Sequence, residues 1–283
     1  MNEINNILST LGRIVTNNSK GYELYYRGFI NCTWKDEPAI YRGHLERENL
    51  FVEKAVCNYP DEFSNAHTID ILTQLQHYGC PTRMLDVTSN FLVALFFACG
   101  GWEEIVVREQ LEKNKNTDGT IHIYKVKEDE IKSIDSETVT LISNISRLKY
   151  SGADFGELPW KCERDLGVWQ TDDDLVLQNA KDVNSVIFVK TRQNNPRVRA
   201  QFGSFFLFGG LDGIKGIECA HCLRSRKVTK KRLDLPKDYV MDEIKIPANY
   251  KEKIRNDLKT YFGISYQTLC PEKQDFIKTI VNY

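Results

Sequence analysis

The stretch His67–Gly100, HTIDILTQLQHYGCPTRMLDVTSNFLVALFFACG, constrains this chain more than any other. Its first part reads as a helix with Ile69, Leu72 and Leu75 on one apolar face and Thr68 in the capping position. Gly79 falls where a left-handed C-terminal residue belongs, and Pro81 stops the helix from resuming. The spacing then predicts a polar loop over Pro81–Asn90, carrying Thr82, Arg83, Asp86, Thr88, Ser89 and Asn90. FLVALFFAC follows, apolar on nearly every side, which predicts a helix buried all round. A polar segment held between a capped helix and a buried one is stiff, as a binding or catalytic site must be.

At 283 residues, with 41% hydrophobic and 27% charged residues, the chain has the composition of an ordinary globular protein with a substantial core. A net charge of −1 supplies no global field toward nucleic acid or anionic membrane, so such binding would need a local patch. No apolar run is long enough to span a bilayer, so no membrane partner is expected. The start, MNEINNILSTLGRIV, lacks the layout of a secretory signal. Eight cysteines without framework spacing suit free thiols in a reducing compartment, and a cytoplasmic location is the expectation.

Along the chain, residues 3–16 predict an amphipathic helix, Glu23–Tyr26 and Pro38–Tyr41 short extended segments, and Leu45–Tyr59 a helix. Thr120–Lys127, Ser185–Lys190 and Ser204–Phe208 read as strands, and Glu243–Ile246 as a short one. Asn194–Asn195–Pro196 forms a turn, Ala248–Tyr261 a helix, and a last helix opens at Pro271. Helices and strands largely segregated along the chain predict an α+β fold. Residues 1–21 form a helix and lead-in to a domain over 22–283, within which 128–180 reads as an insert or lid.

Two aromatic-Arg-Gly tripeptides, Tyr26–Arg27–Gly28 and Tyr41–Arg42–Gly43, stand near the start. With Gln76–His77–Tyr78–Gly79, Pro81–Thr82–Arg83, Leu85–Asp86, Thr88, Ala94–Ala98 and Gln201–Phe205, they resemble the FRG domain family. The spacing of Trp34 and Glu37–Pro38 favours the first tripeptide. Val87 departs from the pattern, standing where the family more often has an aromatic residue. The resemblance covers about residues 22–283 and implies proximity to bacterial toxin or phage-defence systems.

A second set of residues is similar to the arginine-type ADP-ribosyltransferases. That resemblance implies N-terminal helices on a mixed or split β-sheet with C-terminal helices, and NAD as cofactor. On it, Arg27 would grip the phosphates, flanked by Tyr26 and Gly28, with Arg42 as substitute. Thr88 and Ser89 would match the Ser-Thr-Ser element, and Gln201 the first member of Glu/Gln-x-Glu. The catalytic glutamate then falls on Gly203, which leaves Asp86 as the carboxylate able to stabilise an oxocarbenium-like transition state.

Each residue also has a plainer reading. Arg27 and Arg42 could sit in strand-end ion pairs, Arg83 and Asp86 could pair with one another, and one of Thr88, Ser89 and Asn90 could cap the next helix. His77 is a general base or a dipole-favoured helix C-terminal residue, and Gln201 orients a sugar or satisfies a backbone group. Cys219–Ala220–His221–Cys222 lacks a fourth ligand nearby and Asp172–Asp173–Asp174 suits a solvated loop, so no metal is expected. RSRKVTKKR, six basic residues in nine, is a phosphate-tracking patch or an exposed loop. Three functions follow: an ADP-ribosyltransferase-like enzyme using NAD or a related nucleotide on a protein or nucleic-acid acceptor; a non-catalytic nucleotide- or nucleic-acid-binding module; or a nuclease using His77, Arg83 and Asp86.

Overall fold

The structure, a computed structural model, describes residues 2–16, 21–102, 108–154, 182–192, 195–214 and 226–271. The strands are β1 (Tyr22–Phe29), β2 (Met84–Thr88), β3 (Gly119–Lys127), β4 (Lys132–Ser133), β5 (Ser151–Asp154), β6 (Val186–Lys190), β7 (Gly203–Phe208), β8 (Leu211–Asp212), β9 (Lys227–Lys230) and β10 (Val240–Ile246). The helices are α1 (Asn2–Thr16), α2 (Glu48–Asn58), α3 (Pro60–Phe63), α4 (Thr68–His77), α5 (Phe91–Ala98), α6 (Arg108–Lys113), α7 (Glu137–Asn144), α8 (Pro196–Ala200), α9 (Lys251–Phe262) and α10 (Tyr266–Leu269). The fold is mixed α and β, but helices and strands interleave along the chain rather than segregating.

A seven-stranded sheet runs β10-β3-β1-β2-β7-β6-β4, all antiparallel except the β4–β6 edge. Its middle is its weakest joint. β1 pairs with β3 over its whole length, yet meets β2 through one bridge, Tyr26 opposite Thr88. The two halves fold toward each other about this joint and enclose an aromatic layer. In that layer Tyr25 of β1 lies 4.3 Å from Phe188 of β6, and Tyr124 of β3 lies 5.4 Å from Phe206 of β7. A second core lies between the β10-β3-β1 half and α1, α5, α9 and α10, and a third between the other half and α2, α4 and α7. α1 belongs to this packing, since Ile4 is fully buried among residues of α5, β3 and α9. A three-stranded sheet, β5-β9-β8, adds Ala153, Leu211 and Val228 to the third core.

α5 lies directly on the first half-sheet because two glycines admit it. A Cβ on Gly28 of β1 would stand 1.9 Å from the Ala94 carbonyl oxygen, and one on Gly119 of β3 would stand 2.3 Å from that of Ala98. The glycine of Tyr26–Arg27–Gly28 is therefore required by strand–helix contact. Asn90 caps α5 by accepting from the Leu92 N–H at 3.0 Å.

Several expectations are corrected. The segment read as a polar loop over Pro81–Asn90 contains β2, a central strand. Met84, Leu85, Val87 and Thr88 are buried on both faces and only Asp86 is exposed, so the alternation that marks a half-exposed strand is missing. Pro38–Tyr41 is a 3-10 turn over Ala39–Tyr41 that inserts Ile40 and Tyr41 into the aromatic layer. Thr68 does not cap α4; its hydroxyl donates to Asn144 Oδ1 and accepts from Arg147 Nε, tying α4 to α7. Gly79 does end that helix in the left-handed region, at φ 84°. Glu243–Ile246 is the end of the longer β10. Asn195 caps α8 where a turn was expected. The Cys219–Cys222 and Asp172–Asp174 motifs, residues 155–180 of the segment read as insert or lid, and the helix after Pro271 lie outside the described residues.

Candidate functional site: an arginine-lined cleft at the sheet joint

Past the Tyr26–Thr88 bridge, β1 and β2 diverge, and a cavity of about 280 Å³ opens between them. Tyr26, Arg27, Gly28, Arg42, His77, Asp86, Thr88 and Gln201 all line it, so segments far apart in sequence meet at one hollow. Ser89 and Arg83 are not among the lining residues.

Arg27 stands at the split. Its Nη1 donates to the Asp86 main-chain carbonyl at 2.5 Å, a side-chain bond where the strand ladder stops. Its guanidinium lies 5.1 Å from the Phe29 ring centre, and its buried Nε has no hydrogen-bond partner among the described residues. The ion-pair reading does not hold for Arg27, which has no carboxylate partner among the described residues. Asp36 is committed elsewhere: it accepts from the Tyr124 hydroxyl at 2.5 Å and lies 2.8 Å from His122 Nδ1, and His122 is the register partner of Arg27. Those bonds also fasten the loop that carries Trp34.

Arg42 shares the cleft with Arg27. It sits 5.8 Å from the Trp34 ring centre and 3.9 Å from Glu37, a carboxylate that Arg232 also binds, at 2.5 Å. Partial burial and the neighbouring Arg27 charge pull its pKa below the usual arginine value, with Glu37 opposing. Two adjacent guanidiniums with incomplete neutralisation form a site for an anion.

Arg83 is corrected from ligand contact to structural ion pair. It is 1% exposed, binds Glu48 through Nε at 2.7 Å and Nη2 at 2.5 Å, and donates from Nη1 to the Phe208 carbonyl at 2.7 Å. Nor does it pair with Asp86. The Asp86 carboxylate accepts instead from Gln76 Nε2 at 2.5 Å. The Thr88 hydroxyl donates to the Gln201 carbonyl at 2.6 Å and accepts from the Asn90 N–H, which fixes the turn into α5. The Gln201 amide donates to the Leu269 carbonyl at 3.1 Å, so the backbone reading holds for its nitrogen. His77 ends α4 with Nδ1 3.4 Å from Asn195 Nδ2. Exposed Ser89 donates its main-chain N–H to the Phe202 carbonyl. Gly203 lines the cleft with no side chain.

The site also contains residues that sequence reasoning did not select. Arg197 of α8 stacks 4.2 Å from the Trp102 ring centre and donates to the His77 carbonyl at 3.1 Å. Trp34, Trp102 and Phe97 supply aromatic surface, and Gln76 orients Asp86. Gln76, Trp34 and Phe97 carried a signal, as members of the motifs; Arg197 reaches the cleft through tertiary packing alone.

In the basic run, whose Arg224 lies outside the described residues, four of the six cations are paired with carboxylates. Lys227 pairs with Asp154 at 2.9 Å, Lys230 with Glu48 at 2.8 Å, Lys231 with Asp212 at 3.0 Å and Arg232 with Glu37. Lys230 is 2% exposed. No group of His, Cys, Asp and Glu among the described residues is arranged to hold a metal ion, and no described helix is long and apolar enough to cross a membrane.

A mixed α and β fold with an arginine-lined cleft at a split in its sheet is the class of protein defined here. Residues 22–104 match the FRG domain family, and the chain carries an FRG domain over that span, from β1 to just past α5. β3, β4, β6, β7 and β10, beyond the match, complete the same sheet. No curated protein and no solved structure matches the chain.

Proposed function

We propose that the cleft binds a nucleotide-type ligand, NAD or a relative, with its phosphates on Arg27 and Arg42. The observation that carries this reading is the Arg27 guanidinium, half-buried at the sheet joint, without an acid partner among the described residues and beside a second arginine. A half-buried cation without an acid partner, beside the partly neutralised Arg42, is costly in the empty protein, and a phosphate relieves that cost. The Trp34 and Trp102 rings offer stacking surface for a base or nicotinamide.

ADP-ribosyltransferase-like chemistry, the finer part of the proposal, assigns Asp86 to stabilise positive charge developing on the ribose as the glycosidic bond breaks. Consumption of NAD is chemistry that a toxin or phage-defence protein could use. The acceptor is a protein or a nucleic acid. A non-catalytic nucleotide-binding module is the second reading, favoured by the missing side chain at Gly203.

The test is to incubate the purified protein with labelled NAD and candidate acceptors, and to record melting with NAD or ADP present. Binding raises the melting temperature, and Arg27→Ala weakens affinity about tenfold or more through loss of charge-assisted bonds. Binding without turnover selects the module. Neither binding nor turnover refutes both readings.

A further inference from the structure

The cleft keeps its opposite charges apart. Asp86 is the only carboxylate among its described lining residues, where Arg27, Arg42 and Arg197 supply three cations. None of the three forms an ion pair with it. Arg27 reaches the main-chain carbonyl of Asp86, Arg197 the carbonyl of His77, and Arg42 the carboxylate of Glu37. The Asp86 side chain accepts from a neutral donor, Gln76 Nε2.

The amide of Gln76 is itself held in one orientation. The Thr82 hydroxyl donates to Gln76 Oε1 and accepts from the Met84 N–H at 3.3 Å. With the oxygen taken by Thr82, the NH₂ group is the end that faces Asp86. A flipped amide would set oxygen against carboxylate. The relay holds Asp86 in place without neutralising it, and a wholly anionic guest on Arg27 would meet an uncompensated negative charge nearby.

Resting on the nucleotide reading above, we propose that the cleft selects a ligand with a cationic centre beside its phosphates, and that Gln76 is the positioning residue that holds the Asp86 carboxylate toward that centre. NAD⁺ and NADH are suitable probes. They share the pyrophosphate, both riboses and the adenine, and differ by the charge on the nicotinamide ring.

Calorimetric titration of the full chain with each dinucleotide at pH 7.5 gives the ratio of their affinities. One charge pair a few ångström apart in a half-open cleft corresponds to about a tenfold preference for NAD⁺. Asp86→Asn and Gln76→Leu, made separately and checked for folding by their melting curves, each bring the ratio toward one. A merely structural role for Gln76 would weaken both ligands together and leave the ratio in place. Equal binding of the two dinucleotides by the unmodified protein, or a ratio that survives in the two variants, overturns the proposal while leaving the nucleotide reading standing. Binding of neither overturns both.

Discussion

Glu48 holds two cations inside the third core, and replacing it by glutamine tests how much the fold depends on that charge. Arg83, Glu48 and Lys230 are each no more than 2% exposed. Arg83 grips both carboxylate oxygens, and Lys230 donates to Glu48 Oε2 at 2.8 Å and to the Ser146 carbonyl at 3.1 Å. Glu48→Gln keeps the shape but leaves two buried positive charges facing a neutral amide. Breaking a buried pair from one side costs about 3–5 kcal/mol. For a chain of this size that lowers the melting temperature by roughly 10 °C. Lys230→Met should behave oppositely. It removes the surplus cation, leaves a balanced Arg83–Glu48 pair, and changes stability by about 1 kcal/mol or less.

The pH dependence gives a second handle on the same triad. Burial, reinforced by the Arg83 charge and only partly offset by Glu48, brings the Lys230 pKa down to about 8, from the ordinary 10.5. Lys230 is a base with a depressed folded-state pKa, so above about pH 8 the unfolded chain binds more protons than the folded one. Stability therefore rises with pH. At 1.36 kcal/mol per pH unit, the gain between pH 8 and pH 9.5 is about 2 kcal/mol. Above about pH 10 the buried phenols of Tyr25 and Tyr124 reverse the slope, because burial raises their folded-state pKa and the folded chain then holds more protons. Urea unfolding of the natural chain, Glu48→Gln and Lys230→Met, from pH 7.5 to 9.5, reads both effects. A Glu48→Gln protein within 1 kcal/mol of the natural one would falsify the buried-charge argument, and so would a Lys230→Met protein that keeps the natural pH slope.

Gly28→Ala should cost about 3 kcal/mol by driving β1 from α5, seen as a lower melting temperature or loss of folded yield. Gly203→Ala should change stability by less than about 1 kcal/mol, because the nearest atoms to a new Cβ are those of Val198 at 3.5 Å and the backbone there needs no left-handed conformation. A large loss there would mean that the missing carboxylate is excluded sterically. Phe202 adopts φ 51° while 53% exposed, so Phe202→Gly should raise stability by about 0.5–1 kcal/mol, read from the urea midpoint.

Much of the site was legible before any coordinates. Arg27, Arg42, His77, Asp86, Thr88 and Gln201 came from motif membership, and all six line one cleft. Arg83 was misjudged because its acid partner, Glu48, is remote in the chain and nothing local announces the pairing. Asp86 was paired with Arg83 on proximity in sequence, but β2 is extended and its exposed side chain meets α4 instead. The basic run read as a patch or an exposed loop because a string of cations shows its charge and hides its partners; Asp154, Glu48, Asp212 and Glu37 come from four other places in the chain.

Local pattern by itself determined α1, α2, α4, α5 and α9, the strands at Thr120–Lys127, Ser185–Lys190 and Ser204–Phe208, and the stop at Gly79. These follow from periodicity, β-branched content and one residue's backbone freedom, all short-range properties. Tertiary structure decided that β2 is a central strand, that Gly28 serves strand–helix contact, and that Arg27 rather than Arg83 remains without an acid partner among the described residues. The physical reason is that neutralisation and burial depend on what lies across a sheet joint or a core. Those neighbours are fixed by how β1 and β2 part after a single bridge, a distance in space that spacing along the chain does not encode.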